Sequence, residues 1–204
     1  MKKIIQVSCV FLFLSVFIPY VEAHEGTLQK EDKGASVKEL QHSLINMGYL
    51  HTNATGYYGS LTYNAVQQFQ SDFGLTVDGM TGINTQQKLN EVNKLARVVH
   101  GEARGETFEG QVAVAAVIQN RLQSPEFPET VEEVITEKNA FTAVQDGQYN
   151  LEPDPTAYRA VKEAWNGYDP SRGSHYYYNP VLATSEWIWT RTENLQIGKH
   201  VFAD

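Results

Sequence analysis

The sequence predicts a mainly α protein of the α+β class: a three-helix module, then a larger, mostly helical domain with a few short strands. Three observations lead there. Apolar residues recur at helical spacing over most of the chain. A glycine-centred motif repeats in the first half. Aromatic residues crowd into short, strand-like runs near the C-terminus. The 204 residues are 42% hydrophobic and 20% charged, ordinary for a folded domain and inconsistent with wholesale disorder.

The chain opens on Met1-Lys2-Lys3, an almost wholly apolar run from Ile4 to Ile18, and Val21-Glu22-Ala23, whose small residues suit a cleavage site. This reads as a signal peptide over residues 1–23. The run falls short of the roughly 20 apolar residues a spanning helix needs, and it contains Gln6, Ser8 and Ser15. The single cysteine, Cys9, falls inside it, so the mature chain is expected to have no disulfide and no thiolate chemistry. An exported, disulfide-free chain fits a bacterial envelope better than a eukaryotic extracellular space. The net charge is −8 with no basic cluster, which argues against a nucleic-acid partner.

Residues 27–94 form the first unit. Val37, Leu40, Leu44 and Met47 lie at helical spacing after Ser36, and Gly48 stops the helix. Tyr63, Val66, Phe69 and Phe73 repeat the pattern and end at Gly74. Gly56-x-x-Gly59-x-x-Thr62 with Val66 recurs 23 residues on as Gly79-x-x-Gly82-x-x-Thr85 with Leu89. Each copy reads as a glycine turn feeding a helix whose threonine caps or enters the first turn. Two such units and the first helix make a compact bundle with little room for a catalytic cavity. The stretches Gly34-Ala-Ser-Val-Lys-Glu-Leu-Gln41, Gly48-Tyr-Leu50, Ala65-Val-Gln-Gln-Phe-Gln70 and Gly74-Leu-Thr-Val-Asp-Gly-Met-Thr-Gly82 resemble the peptidoglycan-binding module found beside many bacterial wall hydrolases. The resemblance covers about residues 33–90 and implies wall targeting. Most of the apolar positions are core, and binding falls to groups between the helices, with Tyr57 and Tyr58 the candidates.

Residues 95–204 carry the chemistry. Leu89, Val92, Leu95, Ala96 and Val99 continue a helical stripe that Gly101 interrupts. A second helix follows from about Phe108 to Leu122. Its run Val112-Ala-Val-Ala-Ala-Val-Ile118 predicts burial nearly all round, with Gln111, Asn120 and Arg121 as the polar exceptions. Glu102 sits between the two helices. A carboxyl group partly desolvated there has a raised pKa and holds a proton near neutral pH, as a general acid must. The plainer reading of Glu102 is a solvated or capping residue, and Arg104 is placed to pair with it and lower its pKa. Glu106 is a candidate second carboxylate or simply a stabiliser of the next helix's first turn. Glu109 reads as surface.

All three tryptophans and six of the eleven tyrosines fall between Tyr149 and Trp189. Trp165 is expected in the core, on a helix from Pro155 that stops at Asn166-Gly167. The runs His175 to Pro180 and Trp187-Ile188-Trp189 read as short extended segments, one side filling the core and the other presenting flat rings to a cleft. Aromatic platforms mixed with Asn, Gln and Thr suit the apolar faces and hydroxyl rims of sugars.

Val99-His-Gly-Glu102-Ala-Arg-Gly-Glu106, Gly110 to Arg121, Ala140-Phe-Thr-Ala-Val144, Tyr176-Tyr-Tyr-Asn-Pro180, Ser185-Glu-Trp-Ile-Trp189 and Ile197-Gly-Lys-His-Val-Phe202 together resemble the spore-cortex-lytic SleB-type family, the cell-wall hydrolases of SleB and CwlJ. The resemblance spans nearly all of residues 95–202. It implies a lysozyme-related, mostly helical domain that cleaves between N-acetylmuramic acid and N-acetylglucosamine as a lytic transglycosylase, with Glu102 as the catalytic acid. His100 departs from the family's frequent tyrosine, leaving the carboxyl intact. The substrate-binding set is then Gln111, Phe141, Thr142, Tyr177, Asn179, Trp187 and Trp189. The expected partner is the glycan strand of spore cortex or vegetative wall. A regulatory, membrane-associated protein is compatible with the family, and the chain itself is expected to be monomeric.

Three rivals stay open at this level. One is two-carboxylate hydrolysis with Glu102 as acid and Glu106 as base. Another is a zinc amidase or peptidase built on His100, Glu102, His175 and His200; with no His-Glu-x-x-His run or comparable spacing, no metal and no cofactor are expected. The last is a non-catalytic wall-binding protein.

Overall fold

The computed structural model describes residues 26–204, so the signal peptide expected over residues 1–23 lies outside the described residues. Seven α-helices and a small sheet follow in order: α1 (Ala35–Asn46), α2 (Ser60–Asp72), α3 (Ile83–Ala103), α4 (Phe108–Gln123), α5 (Val131–Thr136), α6 (Thr142–Gln145), α7 (Pro155–Trp165), β1 (Tyr176–Tyr178), β2 (Glu193–Ile197) and β3 (His200–Ala203). The mainly α class with a few strands is as the sequence predicts.

In the first part, α1, α2 and the start of α3 close on Val37, Leu40, Leu44, Val66, Phe69 and Leu89, all buried. The repeated glycine turns are locked by two buried glutamines. Gln41 accepts the Gly56 N–H at 2.8 Å and donates to the Thr62 hydroxyl at 2.9 Å. Gln70 accepts the Gly79 N–H at 2.8 Å and donates to the Thr85 hydroxyl at 3.1 Å. The threonines therefore stand inside the first turn, and Gly59 and Gly82 hold the N-cap positions.

Helix α3 runs for 21 residues from the small unit into the larger one, across the expected division at 94/95. It does not end at Gly101, as the broken stripe suggested. Gly101 is a helical residue facing α6, where an added Cβ would lie 2.5 Å from the Ala143 Cβ. The glycine permits close approach rather than a stop. Helix α4 is buried from Gly110 to Ile118, and its alanines and valines let α7 and α3 pack closely against it. Thr107 caps α4 by accepting the Gly110 N–H, and Asp154 caps α7 by accepting from Thr156 and Ala157, with Pro155 in the first turn. One hydrophobic cluster extends from Val37 to Phe202 and unites both parts. Their seam is reinforced by the Lys162–Asp72 ion pair at 2.6 Å and by the Phe73 and Trp165 rings 5.9 Å apart.

The three strands form an antiparallel sheet in the order β1-β3-β2, with Tyr177 opposite Phe202 and Tyr178 opposite Val201. Alternation along β1 sends Tyr177 toward Phe141 and Phe202 in the main core, and Tyr176 and Tyr178 to the other face. The tryptophan segment is not extended. Trp187 adopts helical dihedrals and Ile188–Thr190 forms a 3-10 turn, because the Thr190 N–H and hydroxyl both donate to the Trp187 carbonyl.

Candidate active site

A cleft of about 1200 Å³ opens where the end of α3, the start of α6, β1 and the loop after it, and the β2–β3 turn meet. Glu102 is in the last turn of α3, half-buried on the wall of this cleft. Its Oε1 accepts the Ala143 N–H at 2.6 Å, a donor brought close by the missing side chain of Gly101. Burial raises the Glu102 pKa above the ordinary value; the Ala143 N–H and the Tyr177 hydroxyl oppose that rise, and Asp146 adds to it. The negative end of the α3 dipole acts in the same direction as burial. Arg104 does not neutralise the acid, since its guanidinium turns back to the carbonyls of His100 and Gly101 at 3.5 and 3.1 Å.

Glu106 lies on the same cleft, just before the Thr107 cap. Its Oε2 accepts the Lys199 N–H at 3.0 Å. The turn can approach that closely because residue 198 is glycine with φ +58°, and a Cβ there would lie 2.1 Å from Oε2. Tyr177 is partly buried between the sheet and α4, and its hydroxyl, fully buried beside the Glu102 carboxyl, makes no hydrogen bond of ordinary geometry within the described residues. Burial and that neighbouring carboxyl push its pKa well above the ordinary tyrosine value. Thr142 and Asn179 line the cleft, Asn179 Oδ1 accepting the Val181 N–H at 3.0 Å. Trp187, half-exposed on the rim, meets Tyr176 edge-on at 5.1 Å.

The structure thus brings Glu102, Glu106, Thr142, Tyr177, Asn179 and Trp187 to one cleft and leaves out other candidates. Gln111 is buried in α4, where its Nε2 reaches the Glu106 carbonyl at 3.5 Å, so it is not on the cleft surface. Phe141 is 1% exposed and packs beneath the cleft against Tyr177 and Arg121. Trp189 leans on Tyr178 outside the cleft lining. In the small unit Tyr57 is exposed, its hydroxyl donating to Glu31 at 2.7 Å, but Tyr58 is fully buried and donates to the Gly79 carbonyl at 2.8 Å. Tyr58 is therefore a core strut and presents nothing to a polymer.

The histidines go separate ways. His100 lies 3.4 Å from Asp154 at the start of α7, His175 pairs with Asp204 at 2.8 Å, and His200 lines the cleft with its Nδ1 buried and unpartnered. Burial lowers the His200 pKa, against the pull of Glu106. Among the described residues, no three His, Cys, Asp or Glu side chains group as metal ligands. Sequence reasoning did not single out Arg121 and Tyr176 as cleft residues, and it considered His200 only as a metal ligand. Arg121 had a visible signal, as a cation ending an otherwise apolar helix.

The site belongs to a class of wall-degrading enzymes: the Cell Wall Hydrolase family matches residues 105–203, and a peptidoglycan binding domain family matches residues 33–89. The first match begins beyond Glu102. The spore cortex-lytic enzyme of Bacillus cereus is 37% identical, with 98% of each chain covered, and that of Oceanobacillus iheyensis is 38% identical, with 86% of each covered. The chain belongs to the spore cortex-lytic enzyme family. A crystal structure of the catalytic domain of the Bacillus cereus SleB protein is 55% identical and superposes with a TM-score of 0.54, covering 56% of this chain and 90% of that one. The catalytic domain of a germination-specific lytic transglycosylase SleB from Bacillus anthracis matches at the same identity and TM-score, with 94% of its chain covered.

Proposed function

We propose that this chain is an exported lytic transglycosylase that cuts the bond between N-acetylmuramic acid and N-acetylglucosamine in spore-cortex peptidoglycan, with residues 27–94 holding the wall and residues 95–204 cutting it. The observation that carries this reading is the half-buried Glu102 carboxyl on the cleft wall, with no cation beside it and its pKa raised by burial. Glu102 protonates the bridging oxygen as the glycosidic bond breaks. The C6 hydroxyl of the muramic residue then attacks C1, gives its proton to the Glu102 carboxylate, and closes a 1,6-anhydro ring. One carboxyl serves both steps when its pKa is near ambient pH. Thr142, Tyr177 and Asn179 supply dipoles toward the oxocarbenium-like state.

A specific observation favours a second reading. Glu106 shares the cleft, so it is placed to activate water for hydrolysis. Product masses separate the two, because anhydro sugars are lighter by one water, about 18 Da. Glu102→Gln is expected to lower strand cleavage by about 10³-fold while sacculus binding persists. Normal cleavage by a folded Glu102→Gln protein would end the assignment. Reducing-end products from the wild type would replace transglycosylation by hydrolysis.

A further inference from the structure

Arg121 closes α4 and is 5% exposed. Its Nε donates to the His175 carbonyl at 2.7 Å, and its guanidinium lies 5.2, 5.1 and 5.4 Å from the ring centres of Phe127, Phe141 and Tyr176. The rings hold the cation in place through their faces. They leave the terminal nitrogens without an acceptor: within the described residues these make no hydrogen bond, and no carboxylate lies within ion-pair distance. The side chain lines the same cleft as Glu102. Among carboxylates, Glu137 acts on it, from beyond ion-pair distance.

A buried cation without a counter-ion is costly unless something else supplies the charge. The rest of the cleft agrees. Arg104, Arg121, Lys138 and Lys199 line it against Glu102, Glu106 and Glu137, so the cleft is net positive even with all three carboxylates ionised, in a chain of net charge −8. An anion is therefore favoured here and disfavoured over the surface as a whole. A guanidinium held by its Nε edge offers the fork of terminal N–H groups that grips a carboxylate.

We propose that Arg121 is a specificity-determining residue that binds a free carboxylate on the glycan strand, either the lactyl carboxylate of a muramic residue or a carboxylate of the peptide attached to it. This rests on the reading of the cleft as a wall-glycan site and names the feature of the strand it selects.

The test uses the full chain and three soluble strand preparations: peptide-bearing strands, strands with the peptide removed to leave lactyl carboxylates, and either kind with its carboxylates converted to amides. Wild type is expected to show a KM about tenfold higher on the amidated strands with little change in kcat, the size of one charge-assisted hydrogen bond. The carboxylated preparation with the lower KM identifies the source. Arg121→Gln erases the difference between carboxylated and amidated strands, and Arg121→Lys restores part of it. A merely structural arginine would lower the melting temperature and leave the preference intact. Should Arg121→Gln fail to fold, the wild-type comparison and Arg121→Lys carry the test. Equal KM on carboxylated and amidated strands overturns the proposal. Cleavage of neither overturns the reading of the cleft itself.

Discussion

The two parts of the molecule share one apolar core but treat buried polar groups in opposite ways. In the small unit, Gln41 and Gln70 each spend their amide on a glycine N–H, a backbone carbonyl and a threonine hydroxyl, and Tyr58 spends its hydroxyl on Gly79. Among the described residues the unsatisfied buried side-chain atoms all lie beyond it: on Gln111, Gln119, Tyr177, Arg191 and His200. Two of these, Tyr177 and His200, line the cleft. Satisfied networks make a rigid, chemically inert support. The Tyr177 hydroxyl beside the half-buried Glu102 carboxyl is instead left open to a ligand, as functional sites tend to leave such groups.

The hardest test of that contrast is Gly101. The Glu102 side receives its hydrogen bond from Ala143 because α6 can touch α3 where the side chain is missing. Gly101→Val should push α6 away and lower cleavage by about 10²-fold, the usual penalty for displacing a catalytic group by about an ångström. Overpacking should cost about 1–3 kcal/mol as well. Sacculus binding should survive, since α6 meets α3 at Gly101, within the larger unit. If Gly101→Val cleaves normally, the close approach has no catalytic meaning.

Next in size is the glutamine pair. Gln70→Ala leaves the Gly79 N–H, the Thr85 hydroxyl and Asp78 without their shared partner, and should lower unfolding free energy by about 2–3 kcal/mol. Gln41→Ala, with one bond fewer, should cost somewhat less. Because the core is continuous through α3, denaturation of either variant should remain a single transition by both circular dichroism and tryptophan fluorescence. Separate transitions for the two parts would show that the shared core does not couple them.

These residues also mark what the sequence reveals. Helical periodicity with glycine stops located α1 and α2 to within a few residues, because each buries a plain apolar stripe, while α4 showed as a continuous apolar run and α7 by its Pro155 start and Asn166-Gly167 stop. Gln41 and Gln70 were invisible, since a glutamine between apolar positions reads as surface until its partners in the glycine turns are known. Gly101 reads as a breaker from its own propensity, and only the neighbouring Ala143 explains why a helix tolerates it. Tyr57 and Tyr58 are adjacent with opposite burial, which composition cannot separate. In the cleft, Glu102 and Tyr177 were legible by motif. The charge of the site was not, because an acidic chain conceals a cleft whose cations outnumber its carboxylates until the fold collects Arg104, Arg121, Lys138 and Lys199 on it.

The smallest effect concerns what the partly desolvated carboxyl costs the fold. Burial raises the folded-state pKa of Glu102 above the ordinary glutamate value of 4.5 that it has in the unfolded chain. The folded state therefore binds the proton more tightly, and the stability this confers is complete below the unfolded value. It is lost as pH rises through the raised folded value, beyond which the carboxylate stands ionised in a partly desolvated site. Glu102→Gln keeps an oxygen to accept the Ala143 N–H but cannot ionise. Its melting temperature should match that of wild type below pH 4.5 and exceed it above the raised folded value, by a few degrees at most, since 1 kcal/mol moves a chain of this size by about 2–4 °C. Wild-type cleavage should fall over the same window, as the acid loses its proton. Parallel melting curves at every pH would mean that the carboxyl titrates as if in water, and the contrast between an inert support and a poised cleft would lose its central residue.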